Sequence, residues 1–180
     1  MKLQGLTKFK IDASGSNVKS IQNGVLSVAT SSETSFDVNI SPVGPLKSVV
    51  ILSCRLVSGS TALDKRYFFF KGSLTSGTVL NITRTLSSTS MSAEVSWQVI
   101  EFENTKSIQM GTSTDTATSV SIEITGVVTT KSVLFFSYAL GSLGDDYVTN
   151  GTVASNTSIV FKSKAAPASR SLQWYVVEFN

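Results

Sequence analysis

The chain has 180 residues, a formal net charge of +3 and no histidine. Charged residues make up 15% of it, against about 25% in typical soluble domains. The small net charge argues against nucleic-acid binding, which needs a clustered basic surface. Without histidine, Cys–His and Ser–His catalysis are excluded, and a single cysteine forms neither an intrachain disulfide nor a zinc cluster. We therefore expect a non-enzymatic protein without cofactor or metal, whose Ser- and Thr-rich surface packs against neighbours.

The first 17 residues contain scattered lysines and glycines and few apolar residues. This composition predicts an N-terminal arm with at most one short strand. The segment lacks the continuous apolar region of a signal peptide, and no stretch approaches the roughly 20 apolar residues that span a bilayer. We therefore expect synthesis in the cytoplasm and no membrane association.

Three short sequence patterns occur twice, in the same order. They are Lys-Ser-Ile-Gln-x-Gly (19–24 and 106–111), Lys-Ser-Val (47–49 and 131–133) and Trp-x-Val-x-Glu-Phe (97–102 and 174–179). Three collinear matches indicate an internal duplication. The pattern therefore predicts an arm over residues 1–17, a first unit over 18–103 and a second unit over 104–180.

Within each unit the hydrophobic residues alternate with a period of two, as strands require. Phe36, Val38 and Ile40 show this alternation, and no stretch has a period of 3.6 residues. The segments 49–56 and 133–140 are apolar on both faces, which predicts that they lie centrally in their sheets and bury Cys54. The segment 67–70 is expected to form a strand, with Tyr147-Val148 as its weaker counterpart. Gly, Ser and Asn turns between strands favour an all-β fold with two tandem antiparallel, jelly-roll-like β-sandwich units.

The repeated Trp strand is expected to fill the interior of each unit, because an indole buries on the order of 200 Å². One face of the strand would line the core, and the other would pack on the sister unit or on a neighbouring subunit. An exposed sugar-stacking platform is the alternative for the two tryptophans. The residues assigned to the core are Trp97, Val99, Phe102, Trp174, Val176 and Phe179.

The acidic residues admit structural interpretations. Glu101 and Glu178 recur at one position of the motif, which predicts a cross-strand ion pair with Lys47 or Lys131 rather than a catalytic pair. Asp145, Asp146 and Asn150 could supply oxygen ligands for calcium. However, turn propensity explains the same residues, and they do not have EF-hand spacing.

The order of the three repeated patterns resembles β-sandwich modules of tailed-bacteriophage virion proteins, which occur in capsid decoration proteins and in tail or fibre components. The resemblance covers residues 18–180 and implies a non-enzymatic structural role in the virion, after synthesis in the host cytoplasm. It also implies contacts with major capsid or tail proteins and with further copies of the chain in a homo-oligomer. We expect a protein that decorates or stabilises the head by adhesive contacts. The alternative is a receptor- or glycan-binding module of a tail or fibre, for which the candidate residues are Tyr67, Phe68, Phe69, Phe70, Tyr138 and Tyr147.

Overall fold

The computed structural model describes residues 17–29, 32–58, 69–87, 92–141 and 145–180. These residues form strands and short 3-10 turns without any α-helix, so the prediction of an all-β fold is confirmed. No helix in these ranges is long and apolar enough to cross a membrane. The strands are β1 (Val18–Val28), β2 (Ser35–Asn39), β3 (Ser48–Ser58), β4 (Lys71–Ser76), β5 (Val79–Thr83), β6 (Ser92–Phe102), β7 (Ser107–Asp115), β8 (Ser119–Glu123), β9 (Ser132–Leu140), β10 (Asn150–Ser155), β11 (Ser158–Lys162) and β12 (Arg170–Glu178).

The strands form four antiparallel sheets of three strands each. The first large sheet has the order β1-β6-β3, and the second large sheet has the order β7-β12-β9. The first small sheet is β2-β5-β4, and the second small sheet is β8-β11-β10. The two halves of the chain therefore repeat one strand order, with the Trp strand, β6 or β12, at the centre of each large sheet.

We call two residues register counterparts when they occupy the same place in the same strand of the two halves. Glu101 of β6 lies opposite Ser48 of β3, just as Glu178 of β12 lies opposite Ser132 of β9. This pairing defines the counterparts across the large sheets. The small sheets correspond in the same way, because Lys71 of β4 and Asn150 of β10 each face the last residue of the adjacent strand.

Each half has a buried apolar cluster to which both of its sheets contribute. In the first half, Val95 and Trp97 of β6 meet Leu80 and Ile82 of β5. The second cluster joins residues of β11 and β12, namely Ile159, Phe161, Leu172, Trp174 and Val176. The first cluster also includes Tyr175 and Val177 of β12, so the interior of the first half is completed by the second half.

The central placement predicted for segments 49–56 and 133–140 is wrong. They lie in β3 and β9, which are edge strands of the large sheets. Val49 of β3 is nevertheless fully buried and belongs to the cluster that contains Tyr175. The apolar character of β3 therefore reflects contact with the second half, and not two flanking strands.

The strand predicted over 67–70 is displaced toward the C-terminus. Phe69 and Phe70 precede β4, while residues 67 and 68 lie outside the described ranges. A Cβ on Gly72 of β4 would lie 2.8 Å from Val50 Cγ1, so this strand approaches β3 too closely for a larger residue. Its small and polar residues hid it from the hydrophobic pattern. Its counterpart β10 likewise begins at Asn150-Gly151, where the sequence predicts a turn.

Candidate functional site

The repeated glutamate of the first half is the centre of a hydrogen-bond cluster. The Glu101 side chain is 4% exposed and accepts hydrogen bonds from Lys19 Nζ at 2.9 Å, Ser20 Oγ at 3.3 Å and the Gly44 backbone N–H at 2.9 Å. The Gly44 N–H and the Lys19 ammonium hold the pKa of Glu101 below its ordinary value, because each stabilises the carboxylate. The cluster fastens the loop after β2 to the large sheet.

Glu178 is held in the same way in the second half. Lys106 Nζ lies 2.9 Å from its carboxylate, the Val128 N–H lies 2.9 Å away and Ser107 Oγ lies 3.3 Å away. The Lys106 ammonium and the Val128 N–H lower the pKa of Glu178. Both glutamates are therefore committed to structural contacts with neighbouring elements.

The lysine partners predicted for these glutamates are wrong. The ion pairs use Lys19 and Lys106, which are the first residues of the repeated Lys-Ser-Ile-Gln pattern, rather than Lys47 and Lys131. The reason lies in the sheet order, because β1 and β7 run beside the Trp strands and pair Ser20 with Glu101. Each lysine is therefore one residue away from the partner of the glutamate.

The glutamine of the pattern is a second fastener, which sequence reasoning missed. Gln22 donates from Nε2 to the Ser41 carbonyl at 2.8 Å and accepts the Ser41 N–H at Oε1 at 2.7 Å. Gln109 makes the same pair of bonds to Thr125, at 2.9 and 2.7 Å. The recurrence of this glutamine in both copies of the pattern could have indicated a shared structural contact. These contacts bind the loop to the sheet at a second point.

The two tryptophans occupy matching buried settings. Trp97 and Trp174 are each 8% exposed, which leaves neither as an open sugar-stacking platform. Each indole lies over the glycine opposite it on the adjacent strand, Gly24 or Gly111. A Cβ on these glycines would lie 2.5 and 2.6 Å from the indole Cζ2. The glycine that ends the Lys-Ser-Ile-Gln-x-Gly pattern therefore leaves space for the tryptophan that begins the Trp-x-Val-x-Glu-Phe pattern.

The other residues assigned to the core are located as follows. Val99 and Val176 are fully buried, and Phe102 is 4% exposed. Phe179 is only half-buried, and its ring packs edge-on against Phe102 with 6.0 Å between centroids. Phe102 and Phe179 each end a copy of the Trp-x-Val-x-Glu-Phe pattern, so equivalent side chains of the two halves touch each other.

The aromatic residues assigned to receptor or glycan binding largely contact the rest of the chain. Phe69 stacks on Tyr138 at 5.2 Å, and Phe70 is buried. The Tyr138 hydroxyl accepts the Thr149 N–H, and burial raises the pKa of Tyr138. Tyr147 is half-buried in a 3-10 turn, while Tyr67 and Phe68 lie outside the described ranges.

A cavity of about 150 Å³ adjoins these aromatic residues, and Cys54 is one of the residues that line it. Cys54 is exposed on β3, so the predicted burial of this residue is wrong. The reason is that the C-terminal part of β3 extends past the covered part of the sheet, as the exposed residues from Ser53 to Ser58 show. Partial enclosure by the cavity raises the pKa of the Cys54 thiol.

The two halves meet where the second large sheet covers the open edge of the first half. The Tyr175 side chain of β12 is buried against β3, with its hydroxyl beside the Val50 backbone. On β9, Ser137 Oγ accepts the Gly72 N–H of β4 at 3.0 Å. Lys71 of β4 donates to Ser171 Oγ of β12 at 2.9 Å. We call the side of each large sheet that carries Tyr175, or its counterpart Gln98, the outer face of that sheet. We call the side of β3 and β4, or of β9 and β10, on which no further strand pairs the open edge of that half.

The outer face of the first large sheet is exposed over most of its area. Gln98, the counterpart of Tyr175, is exposed, and so is Ser96, the counterpart of the buried Gln173. Ile21 and Val25 of β1 lie on this face and are 50% and 60% exposed. One sheet face of the repeated architecture is thus covered in one half and open to solvent in the other.

A buried ion pair distinguishes the second half. Arg170 is fully buried and donates from Nε and Nη2 to the two carboxylate oxygens of Asp115, at 3.1 and 2.7 Å. Its Nη1 also donates to Thr149 Oγ1 at 3.2 Å. The register counterparts of this pair are Ala93 and Val28, which are both buried and apolar. The repeated patterns contain neither charge, so this pair was not predicted.

Two of the residues considered as calcium ligands, Asp146 and Asn150, have other roles in the fold. Asp146 accepts a salt bridge from Lys164 at 2.6 Å, and Asn150 opens β10. Within the part of the chain that the structure describes, no three Cys, Asp or Glu residues come together as a metal site would require. Comparisons with models of protein families, with curated proteins and with solved structures each find no match.

Proposed function

We propose that the chain is a non-enzymatic structural protein of a tailed-bacteriophage virion, where it stabilises the head by adhesive contacts with neighbouring subunits. One observation carries the proposal. The outer face of the first large sheet is exposed and bears Ile21, Val25 and Gln98, whereas the same face of the second large sheet is buried against another β unit. A face with this architecture, whose charged residues Arg55 and Glu94 pair with each other, suits protein–protein packing.

The buried ionisable side chains support a structural role. Among the described residues these are Arg84, Glu101, Arg170 and Glu178. Each holds one segment of the chain against another, since Arg84 donates from Nε to the Glu33 carbonyl and the other three form the contacts given above. In an enzyme, such buried charged groups would converge on a cleft. Here they are spread over both halves as fasteners.

The architecture of the proposal is a duplicated β-sandwich module. The repeated strand order, the paired glutamate clusters and the matching Trp–Gly contacts support one ancestral unit copied once. In each unit the large and small sheets would form the two layers of a jelly-roll-like sandwich. We keep the predicted units, residues 18–103 and 104–180, for this proposal; β1 begins at Val18 and β6 ends at Phe102.

The aromatic residues considered for a tail or fibre receptor site do not favour that alternative. Phe69 and Tyr138 are stacked on each other and Phe70 is buried, so these rings present no free pair of faces to a saccharide. The head-stabilising role is therefore the one we propose.

The test uses phage particles made without this chain, to which the purified protein is added back. We expect saturable binding to assembled heads, with a rise in their thermal stability, and no comparable binding to unassembled shell subunits. Equal binding to the free subunit would contradict decoration. An electron-microscopy map of the intact particle that contained no copy of the chain would overturn the virion role altogether.

A further inference from the structure

We infer that copies of this chain bind each other head to tail, with the outer face of the first large sheet of one copy covering the open edge of β9 and β10 in the next. The inference concerns the isolated protein and stands whether or not the chain belongs to a virion. It starts from the contact between the two halves of one chain, which joins unlike surfaces of two units with the same strand order.

The contact within the chain is not reciprocal. The outer face of the second large sheet covers the open edge of the first half, but the outer face of the first large sheet does not cover the edge of the second half. Tyr175 is 2% exposed on the covered face, whereas its counterpart Gln98 is exposed. A one-way contact between equivalent units is heterologous, and it leaves one face and one edge unused.

The unused edge shows the same difference in burial. Val49 of β3 is 0% exposed, while its counterpart Val133 of β9 is 43% exposed. Val148, which precedes β10 as Phe69 precedes β4, is 55% exposed, whereas Phe69 stacks on Tyr138. Among the described residues β9 pairs only with β12, so its other edge forms no strand-to-strand hydrogen bonds. Positions covered at the start of β3 are therefore open at the start of β9, whereas Ser137, Ala139 and Leu140 at the end of β9 are buried.

The unused face has the groups that such an edge needs. Ile21 and Val25 supply apolar contact, and both are β-branched residues on a flat sheet surface. The amide of Gln98 occupies the register position of Tyr175, whose hydroxyl lies beside the Val50 backbone of β3. An amide oxygen at this position can accept a backbone N–H of β9. The face is more polar than its counterpart, as expected where a surface must also meet water before association.

The geometry also favours closure into a ring. Phe102 and Phe179 are equivalent residues whose ring centroids are 6.0 Å apart. Equivalent side chains touch only when the rotation that relates their units passes close to them, with little translation along its axis. Repeating that operation between chains keeps every unit around one axis. A heterologous contact repeated about a fixed axis closes into a ring when the rotation divides a full turn into an even number of units, two from each chain.

The test measures self-association of the purified full-length chain by sedimentation velocity over a range of concentrations, with electron microscopy of the largest species. We expect one closed ring of several chains. The face variant Ile21→Lys/Val25→Lys and the edge variant Val133→Lys/Val148→Lys should each remain monomeric. Ser119→Lys, at an exposed site on β8, the strand at the opposite edge of its sheet from β10, should assemble like the unaltered chain. Circular dichroism verifies that every variant retains its strands.

Mixing the two monomeric variants provides the decisive measurement. Each retains one intact surface, so a head-to-tail contact predicts a face–edge dimer that grows no further. A mixture that stays monomeric would overturn the inference, and so would an unaltered chain that is monomeric at every concentration. Association that is lost on deleting residues 1–16, yet is unaffected by the face and edge substitutions, would assign the contact to the arm and also overturn it. Open-ended growth into filaments would overturn the ring.

Discussion

At the scale of single residues, the repeated patterns are explained by contacts between distant segments. The Lys and Ser of one pattern bind the Glu of another, and the Gly of the first leaves space for the Trp of the last. Ser48, in the middle pattern, donates from Oγ to the Gly44 carbonyl at 2.9 Å, and so holds the same loop that Glu101 holds. Three short patterns that are far apart in sequence thus describe one fastening between a loop and a large sheet.

The glycine opposite each tryptophan should tolerate no side chain. A Cβ on Gly111 would lie 2.6 Å from Trp174 Cζ2, and the buried indole would have to move. We expect Gly111→Ala to lower the free energy of unfolding by about 1–3 kcal/mol, the usual cost of overpacking. The measurement is denaturant unfolding followed by tryptophan fluorescence. Gly126→Ala is the matched control, because a Cβ there meets no atom within 4 Å. Equal stability of the two variants would contradict the proposed contact.

The glutamate clusters predict how stability depends on pH. The pKa of Glu101 and that of Glu178 are lowered in the folded chain, so between the folded and unfolded values the unfolded chain binds more protons. Their contribution is therefore complete above the unfolded value, about 4.3, and is lost as the pH falls through the folded value. We expect Glu101→Gln/Glu178→Gln to be less stable than the unaltered chain at pH 7 and to lose less stability on acidification. Denaturant midpoints between pH 7 and pH 2 test this, and parallel pH profiles would contradict it.

At the scale of elements, the buried ion pair joins the ends of β7 and β12 at a position where the first half uses two apolar residues. Removing one member of a buried pair leaves a desolvated charge, whereas replacing both members by apolar residues of suitable size is often neutral. At the same register position, the first half has an apolar pair in place of the ion pair. The Arg170–Asp115 pair holds the ends of β7 and β12 together, but the first half forms the same strand order without such a pair.

Substitutions at this pair should therefore be strongly non-additive. Asp115→Val leaves the guanidinium of Arg170 buried without its carboxylate, and we expect a loss of about 3–5 kcal/mol in the free energy of unfolding. The double variant Asp115→Val/Arg170→Ala copies Val28 and Ala93 and should recover most of that loss. Denaturant unfolding of both single variants and the double variant completes the cycle. A double variant as unstable as Asp115→Val would show that the register correspondence does not extend to packing.

The elements also show how far the sequence determines the fold. Period-two alternation placed β2, and the repeated Trp pattern placed β6 and β12, because the residues on the tryptophan side of these strands are buried within their own half. β3 was expected at the centre of its sheet because a pattern of apolar residues does not distinguish coverage by strands from coverage by another unit. β4 was missed because its close approach to β3 selects Gly72 over an apolar residue.

The candidate surfaces were harder to predict for a related reason. Ile21 and Val25 look like ordinary members of a half-buried strand, and only the sheet order shows that their face is open. Tyr175 and Gln98 occupy the same place in the repeated motif, at a position marked there as variable. That difference becomes informative once one face is seen to be covered and the other exposed.

At the scale of the whole molecule, the first half depends on the second for part of its interior. Tyr175 and Val177 belong to the buried cluster of the first half, and Ser137 of β9 accepts the backbone N–H of Gly72. The second cluster is formed by residues of the second half alone. The interface should therefore stabilise the two halves unequally, with the open edge of the first half losing most when the contact is weakened.

Exchanging the counterparts Tyr175 and Gln98 tests this asymmetry. Tyr175→Gln removes a buried aromatic ring, and we expect it to lower the free energy of unfolding by about 2–4 kcal/mol. Gln98→Tyr places the same ring on the exposed face and should change the stability of the monomer little, provided both are measured at a concentration at which the chain is monomeric. Hydrogen exchange should show faster exchange in β3 and β4 of Tyr175→Gln, beginning with the Val50 amide beside the tyrosine hydroxyl. The amides of β8 and β11, beneath the second cluster, should keep their protection. Equal acceleration in all four strands would mean that the halves open as one cooperative unit, and the one-way dependence of the first half on the second would then be wrong.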